Sequence, residues 1–595
     1  MYILGINCAY HESAACLIAG GRLLAAAEEE RFNRTKHGKR ALVDNAGQLP
    51  LQALSYCLEE AGLGAADGID LSPVDHIGFS LLPHVRYQAN VGHRHPYPIR
   101  DGDFGSEAGE ACLRDRCLAV EGALRDLGFR GRLHFLDHHA CHAASSFFLS
   151  PFDQAAVLVI DGIGEFNSTT LFHADGRHLR PVHSVAYPHS LGFLWEKIAV
   201  YLGFDEYDAA KVMGLASFGD PAAFAQAWER LVTPGADFRI DDRLTRFRCR
   251  DCSQLEALFG LPQGRAPIQE VTAESQPYAD VAAGLQQVTE EIVLALAEKA
   301  AEVHPRNLCS SGGVALNCVA NGRLLREGPF AEVFIEPACH DAGTAIGAAY
   351  LIHHSILGGE RAEPVESPYL GPRFSRRESR EALDAQGLLY EESDDAPRRA
   401  AELVAAGKIV GWFQGRMEIG PRALGNRSIL ADPRHIETVA QLNRTTKHRE
   451  AFRPFCPSVL EEEIPRWFEG DGRIHSPARY MLTTYEARAE KRRLIPAVVH
   501  VDNTARLQAV SKALNPRFHR LIATFFELTG VPMVLNTSFN DREPIVCTPE
   551  DALKTFLATD IDVIVVDDFI VSKRRNALAT AVPDVPLETY FEKLR

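Results

Sequence analysis

Three stretches far apart in the chain carry side chains able to hold one metal ion: Leu136-Asp-His-His-Ala-Cys-His142, Val159-Ile-Asp-Gly162 and Cys339-His-Asp-Ala-Gly343. His138 and His142 are four residues apart. On a helix that is about one turn, ~6 Å of rise, so both imidazoles leave the same face. Asp161 and Asp341 each stand just ahead of a Gly, where a strand can end in a sharp turn. Two imidazoles and two carboxylates suit a borderline divalent cation. His139 lies between the two histidines and offers an i,i+3 alternative to His138.

A second set could handle phosphate. Asn307-Leu-Cys-Ser-Ser-Gly-Gly-Val-Ala-Leu-Asn317 reads as a strand ending in a small-residue loop that opens a helix. Without a Cβ at Gly312 and Gly313, backbone N–H groups and a helix N-terminus can approach a nucleotide. Tight packing alone would leave the same mark. Further on, Arg416, Arg422 and Arg427, then Lys447, Arg449 and Arg453, interleave with Gly, Pro and Asn. Cations in turn-rich segments of an acidic protein favour an anionic ligand over a solvated charged face. Val531-Pro-Met-Val-Leu-Asn536-Thr-Ser538-Phe-Asn540 adds a strand leading into amide and hydroxyl donors.

A chain of 595 residues exceeds one ordinary core, so two or more domains must position these groups. Apolar content of 46% and charged content of 24% mark a globular protein, and the net charge of −16 argues against a large nucleic-acid footprint. Thirteen Cys scattered through apolar or motif segments read as reduced thiols, not as a disulfide framework. The start, Met1-Tyr-Ile-Leu-Gly-Ile-Asn7, lacks a basic leader, and no uncharged apolar run reaches ~18 residues. A cytoplasmic protein without a membrane span is expected.

The scaffold carries a weak internal repeat. Tyr2–Asn7 and Ala155–Ile160 read as buried strands, each followed by a Ser eight positions ahead of a Gly-Arg turn (13 to 21, 168 to 176). Two strand–loop–strand–turn–strand units predict a duplicated α/β domain with a cleft between its halves. Coincidence between two hairpins is the bland alternative. Helical periodicity covers Leu51–Glu60, Glu107–Leu127 and Asp280–Val303. Gly358–Pro372 is rich in Gly, Pro and Glu and reads as a linker; beyond it, Ala396–Ala406 is a helix and Lys408–Phe413 a strand. The expected domains are 1–357 and 373–595, joined by 358–372.

A family resemblance gathers these pieces. Gly5-Ile-Asn7, His11-Glu-Ser-Ala-Ala15, Glu28-Glu-Glu-Arg-Phe-Asn-Arg-Thr-Lys36-His37, the His138–His142 pair, Asp161-Gly162, Lys211-Val-Met-Gly-Leu-Ala216, Ser311-Gly-Gly-Val-Ala-Leu-Asn317 and His340-Asp-Ala-Gly343 resemble the N-terminal part of NodU/CmcH/TobZ-type O-carbamoyltransferases. Gly420-Pro-Arg-Ala-Leu-Gly-Asn-Arg-Ser428, Arg449-Glu-Ala-Phe-Arg453 and Leu535-Asn-Thr-Ser-Phe-Asn540 resemble their C-terminal part. The match runs in order over nearly the whole chain. It implies an α/β and α+β fold, with an N-terminal actin/hexokinase-like duplicated α/β domain and a C-terminal YrdC-like domain. By similarity, the C-terminal domain joins carbamoyl phosphate and ATP, with Mg²⁺ as cosubstrate ion, into carbamoyl adenylate and pyrophosphate. The N-terminal domain then passes the carbamoyl group to a hydroxyl of a small-molecule natural product.

The resemblance also implies roles. His138, His142, Asp161 and Asp341 would hold iron(II), although zinc or manganese suits the same donors. His11 would be the general base and Lys36 would steady charge on the carbonyl or phosphate. Gly312, Gly313, Asn317 and Lys211 would bind the adenylate. Arg422, Lys447, Arg449, Arg453, Arg506, Asn536 and Ser538 would bind carbamoyl phosphate and ATP. One loop departs from the family: Asp541-Arg-Glu-Pro544 lacks the usual Gly. The segment 233–277 is hard to align and is a candidate for acceptor binding, as are His93 and His95. Cys249 and Cys252 form half of a zinc knuckle with no partner pair.

Other functions fit less well. A metallohydrolase helix would place Glu beside its first His, whereas His138 is followed by His139 and Ala140. Carbamoylation of a protein thiol, as in hydrogenase maturation, comes with paired Cys-x-x-Cys motifs that this chain lacks. Threonylcarbamoyl-type transfer to a nucleic acid conflicts with the acidic charge, and a nucleotide sensor would not need a second anion site. No nucleic-acid or membrane partner is expected; the oligomeric state is not legible, with a dimer left open.

Overall fold

In the computed structural model, which describes residues 1–65, 68–447 and 449–576, the sequence repeat becomes a repeat of sheet topology. The first sheet runs Arg22–Glu28, Ala14–Ala19, Tyr2–Asn7, His76–Phe79, Arg132–Phe135 from edge to edge. Its first three strands form an antiparallel meander, and the other two continue parallel to Tyr2–Asn7. The second sheet repeats this with His178–Ala186, Asn167–Asp175, Gln154–Ile160, Asn307–Ser311 and Glu332–Ile335. It is again an antiparallel trio followed by two parallel strands. The same order and polarity in both sheets removes coincidence as an explanation. This is the duplicated α/β architecture expected of the first part.

The helices His138–Leu149 and Gly343–Tyr350 pack against each other at the centre of this part, and Gly343–Tyr350 also lies on Tyr2–Asn7. The sequence Gly343-Thr-Ala-Ile-Gly-Ala-Ala-Tyr350 presents small side chains there, so backbones can approach closely. Helices Leu51–Glu60 and Glu107–Asp126 fall where the periodicity placed them, and the long helix begins a turn earlier than expected, at Gln276.

The C-terminal part is one mixed sheet of eight strands: Glu391–Glu392, Phe569–Ser572, Val563–Val566, Val410–Phe413, Arg427–Ala431, Met533–Ser538, Cys456–Leu460, Gln508–Val510. Helices Ala396–Ala405 and Pro516–Thr529 cover it over a core that includes Trp412, Phe518, Phe525 and Val565. It is the α+β layer expected of the second part. The strand expected from Val531 starts only at Met533, because Pro532 has no N–H to give a ladder.

Between Leu357 and Ser375 there is no helix or strand. The segment is nevertheless stitched down. The Leu370 carbonyl accepts from Tyr56 Oη (2.7 Å) and Arg416 Nη2 (2.7 Å), and Tyr369 Oη donates to the Leu424 carbonyl (2.8 Å). The two parts also meet along Glu28–Arg34. Buried Arg31 donates to Glu28 (3.2 Å) and to the Gly420 carbonyl (2.8 Å), while Gly420 N donates back to Glu28 (2.9 Å). Arg34 donates to the carbonyls of Pro544 (2.6 Å) and Ile545 (2.7 Å). The loop that departs from the family pattern is therefore part of this seam. Among the described residues, no helix is long and apolar enough to cross a membrane.

Candidate active site

Asp137 caps helix His138–Leu149 by accepting from Ala140 N (2.7 Å), which fixes the first turn and puts His138 and His142 on one face. Asp161 directly follows strand Gln154–Ile160, as expected. Asp341 does not end a strand: Glu332–Ile335 finishes six residues earlier (335 to 341), and Asp341 lies in turns leading into Gly343–Tyr350. One ligand atom from each of the four residues lies within 4.8 Å of the others, and all four residues are buried. His138 Nε2 is 3.4 Å from Asp161 and 3.6 Å from Asp341, and His142 Nε2 is 3.5 Å from Asp341.

The outer nitrogens explain the inner ones. His138 Nδ1 sits 3.0 Å from the Ser80 carbonyl, which can only accept, so Nδ1 holds the proton and the Nε2 lone pair faces the carboxylates. His142 Nδ1 is held by Ser311 Oγ at 3.1 Å. Both Nε2 atoms are buried without a hydrogen bond. A lone pair against two carboxylates calls for a cation. Burial opposes charge on His138, yet the attraction of Asp161 and Asp341 raises its pKa well above the histidine range, and a metal at Nε2 would take the place of that second proton. Burial and Asp341 push Asp161 upward, but the two histidines more than offset them and hold it at about 2. The residues present fit a divalent metal. His139 points elsewhere, with Nδ1 2.7 Å from Thr170 Oγ1, and burial drops its pKa to about 4.

Two acids behind the site were not singled out in the sequence. Glu336 contacts Ser311 Oγ (3.3 Å) and is hydrogen-bonded by Ser145 Oγ, so it backs His142 through a serine. Burial raises its pKa to about 8. Glu165 accepts from Leu82 N (2.9 Å) and His138 N (3.1 Å), and burial raises it to about 7. A lone acid beside an apolar strand (Phe334-Ile335-Glu336) was the one available signal.

His11 stands beside the quartet, with Nδ1 3.8 Å from Asp341 and its ring edge-on to Tyr207 at 4.9 Å. Buried Asn7 positions this turn by donating to the carbonyls of His11 (3.2 Å) and Glu12 (2.9 Å), and Glu12 takes a left-handed backbone, φ +54°. Glu12 in turn binds His37 Nδ1 at 2.6 Å and faces His340 Nε2 at 3.5 Å. Lys36 is exposed and shares no hydrogen bond or ion pair with these groups; its neighbour His37 is the residue that reaches the site.

Gly312, at φ +93°, brings its backbone so close to Ile160 that a Cβ would lie 2.3 Å from the carbonyl oxygen, and Gly313 N donates to Asp161 (3.0 Å). The nucleotide-type loop is thus built onto a metal-site carboxylate. Asn317 caps helix Cys318–Glu327 by accepting from Ala320 N (3.0 Å) and pairs with Gln286 (3.0 Å), so its amide is already engaged. Lys211 departs from the expected grouping. Its ammonium pairs with Asp208 (2.9 Å) and with Glu450 (3.2 Å) of the C-terminal part.

The C-terminal cations do converge. Burial first, then the charges of Arg449 and Arg453, push Lys447 well below the lysine range. Burial, Arg453 and other neighbours do the same to Arg449. Burial and Arg506 lower Arg422 to about 10, and its Nε is buried without a partner. Arg506 donates to the Cys456 thiol at 3.0 and 3.1 Å. Glu450, 3.5 Å from Arg453, is one acid among them, and the charges of Asp541 and Glu543 also reach Lys447. Lys447 also donates to Ser538 and Asn540, and Asn536 leaves a buried carbonyl oxygen unpaired. Such mutual repulsion is relieved by an anion. Two arginines of the sequence cluster do not take part. Arg427 is saturated by carbonyls of Gln414, Cys547 and Pro372, and Arg416 clamps Leu24, Tyr56 and Leu370.

Two family descriptions match the chain. Residues 2–350 match the family description "Carbamoyltransferase N-terminus", and residues 401–573 match "Carbamoyltransferase C-terminus". A Synechocystis protein, sll1178, is 40% identical over 96% of this chain and 97% of its own length. The nodulation protein NolNO of Sinorhizobium fredii is 38% identical, covering 96% of this chain and 80% of its own. Nodulation protein U of Rhizobium tropici is 29% identical over 91% of each. With both matches spanning the metal quartet and the cation cluster, the chain belongs to the carbamoyltransferase family.

Proposed function

We propose that this protein is an ATP-dependent O-carbamoyltransferase that works in two steps at two sites. In the part spanning 373–595, carbamoyl phosphate and ATP give carbamoyl adenylate. With one water the step balances as carbamate formation with loss of phosphate, then attack of the carbamate oxygen on the α-phosphorus with loss of pyrophosphate. Lys447, Arg449, Arg453, Arg506 and Arg422 bind and orient the anions, with Ser538 and Asn536 as neutral partners. In the part spanning 1–357, the adenylate lies along Gly312–Gly313. A small-molecule alcohol attacks the carbamoyl carbon, AMP leaves, and the alcohol proton passes to His11. A divalent cation held by His138, His142, Asp161 and Asp341 supplies Lewis acidity toward the phosphate or carbonyl oxygen; iron(II) is the proposed ion.

The observation that carries this reading is the position of Arg422. The charges of Arg506, Cys318, Cys456 and Cys339 all act on it, so residues of both parts surround its guanidinium. That closeness supports a path from an anion-activating site to a transfer site. The purified protein, supplied with ATP and carbamoyl phosphate, is expected to release pyrophosphate and form carbamoyl-AMP. Arg422→Ala is expected to abolish that step, whereas His11→Ala keeps it and loses transfer. Equal loss of both steps in both variants would refute the division of labour.

A further inference from the structure

We propose that an open cleft of about 540 Å³ on the first part, lined by Arg94, Arg230, Arg239 and Arg243, binds a phosphate monoester of about sugar-phosphate size. The cleft is a different place from the cation cluster of the second part. The proposal goes beyond the carbamoyl-transfer reading and does not depend on it.

Several short segments build the cleft. Helix Ala225–Leu231 runs directly into strand Val232–Thr233, which pairs antiparallel with Arg239–Ile240. Leu231 and Ile240 belong to the buried core, and their neighbours Arg230 and Arg239 are left at the surface. The short helix Asp242–Thr245 adds Arg243, and the chain after helix Pro83–Gly92 adds His93 and Arg94. Part of this lining falls in 233–277, the stretch that resisted alignment.

Four guanidiniums line the cleft against two carboxylates, an excess of two positive charges in a protein of net charge −16. Both acids are committed. Asp241 accepts from Arg243 Nη2 (2.6 Å) and Nε (2.9 Å). Buried Asp242 accepts from Tyr97 Oη (2.9 Å), Thr245 Oγ1 (3.1 Å) and Phe247 N (3.1 Å). Glu229 and Asp237, the next acids along the chain, do not line the cleft, and Asp237 faces His183 at 3.7 Å. Arg94, Arg230 and Arg239 are exposed and make no hydrogen bond or ion pair among the described residues. Burial, with the charge of Arg239 for His189 and of Arg248 for His93, lowers both imidazole pKa values, so neither ring of the lining adds charge.

A guanidinium offers a planar fork of N–H donors that matches the oxygens of a phosphate. A phosphate monoester carries about two negative charges at neutral pH, which equals the excess; a single carboxylate would leave one cation unmatched. Pro96 and Pro188 give apolar surface for an organic body, and the volume falls within the ~300–1,000 Å³ of small-molecule sites.

The wall of the cleft leads toward the metal site. The His93 ring lies 5.2 Å from Tyr187, Tyr187 lies 6.1 Å from Phe193, and a Cβ on Gly162 would be 3.2 Å from Phe193. Ser190, the residue after His189, donates to the Gly162 carbonyl at 2.6 Å. The ligand therefore rests on a layer that supports Asp161, and it is bound there without being consumed.

The test is titration calorimetry and ligand-observed NMR on the full-length protein, with ATP and carbamoyl phosphate left out. Three probes share one sugar body: glucose 6-phosphate, glucuronate and glucose. Glucose 6-phosphate is expected to bind at least about tenfold more tightly than glucuronate, and glucose to show no binding at millimolar concentration. A variant combining Arg94→Gln, Arg230→Gln and Arg239→Gln is expected to lose about tenfold or more of the phosphate-ester affinity. Its thermal midpoint should match the wild type, because all three side chains are exposed. Arg453→Gln, which alters the C-terminal cluster, is expected to leave the affinity unchanged. The proposal is overturned if glucose 6-phosphate does not bind at millimolar concentration, or if glucuronate or glucose binds as tightly. It is also overturned if the triple variant binds like the wild type, or if the loss follows Arg453→Gln instead. Pyrophosphate release from ATP and carbamoyl phosphate is assayed separately; its absence would sink the two-step reaction and leave the phosphate-ester cleft standing.

Discussion

A Cβ on Gly347 would lie 1.7 Å from the carbonyl oxygen of Cys141. Cys141 belongs to the helix carrying His138 and His142, and Gly347 to the helix that Asp341 leads into, so this contact sets the spacing across the metal quartet. Gly347→Ala must drive the helices apart. It is expected to cost about 2–4 kcal/mol in chemical denaturation and to weaken metal binding by about tenfold. A stable variant with wild-type metal affinity would show that the spacing is not what tunes the site.

Metal binding should be visible as stability. Raising free metal to about 100 times its dissociation constant adds ~2.7 kcal/mol by mass action, so chelation should lower the thermal midpoint. Asp341→Asn and His142→Ala should remove that difference and the bound metal measured by elemental analysis. Equal metal content in both variants and the wild type would move the site elsewhere.

Glu336 should make stability fall with rising pH. Its carboxyl is fully buried and titrates at about 8, against about 4.5 for the exposed group. Below about 4.5 it is neutral in both states and costs nothing. Between there and about 8 the unfolded chain releases a proton that the folded chain retains, so folding loses on the order of a few kcal/mol. Glu336→Gln should therefore stabilise increasingly across that window and level off above it. Parallel denaturation profiles for variant and wild type would contradict this.

Asn317 separates a structural role from a binding role. Asn317→Ala should cost ~1 kcal/mol through loss of the helix cap, whether or not nucleotide is present. Asn317→Asp keeps an acceptor for Ala320 N and adds negative charge. If the loop holds an adenylate, the Asp variant should bind AMP at least about tenfold more weakly, apart from the stability it loses with the Asn317 amide's bond to Gln286. Unchanged AMP affinity, read by calorimetry, would restrict Asn317 to capping.

Much of the site could be read in the sequence because its spacing is local. His138 and His142 are one helical turn apart, and the Ser13–Gly21 and Ser168–Gly176 spacings each lie within one hairpin. The quartet's closure was not local, since Asp161 and Asp341 reach the histidines only through the stacking of two helices, one strand end and the turns ahead of Gly343. The basic cluster was read too broadly. Arg422 and Arg427 look alike in sequence, yet one leaves Nε unpaired and the other is consumed by backbone carbonyls. The carbonyls within reach, not residue type, decide between them. Lys211 and Lys36 show the same limit: one is tied to Glu450 across the seam and the other faces solvent.

The seam also fixes an order of events during synthesis. Glu28 meets the Gly420 amide across 392 residues of chain. At ~5–20 residues per second, a ribosome needs about 20–80 s to cover that distance. The sheets of the first part can be complete once residue 335 has emerged, while Glu28 and Arg31 are still without their partner. Glu28 and Arg31 keep their own patch wetted during the wait, but Phe32 and Phe204, which later meet Met417 and Phe452 of the second part, stay uncovered until it has been made.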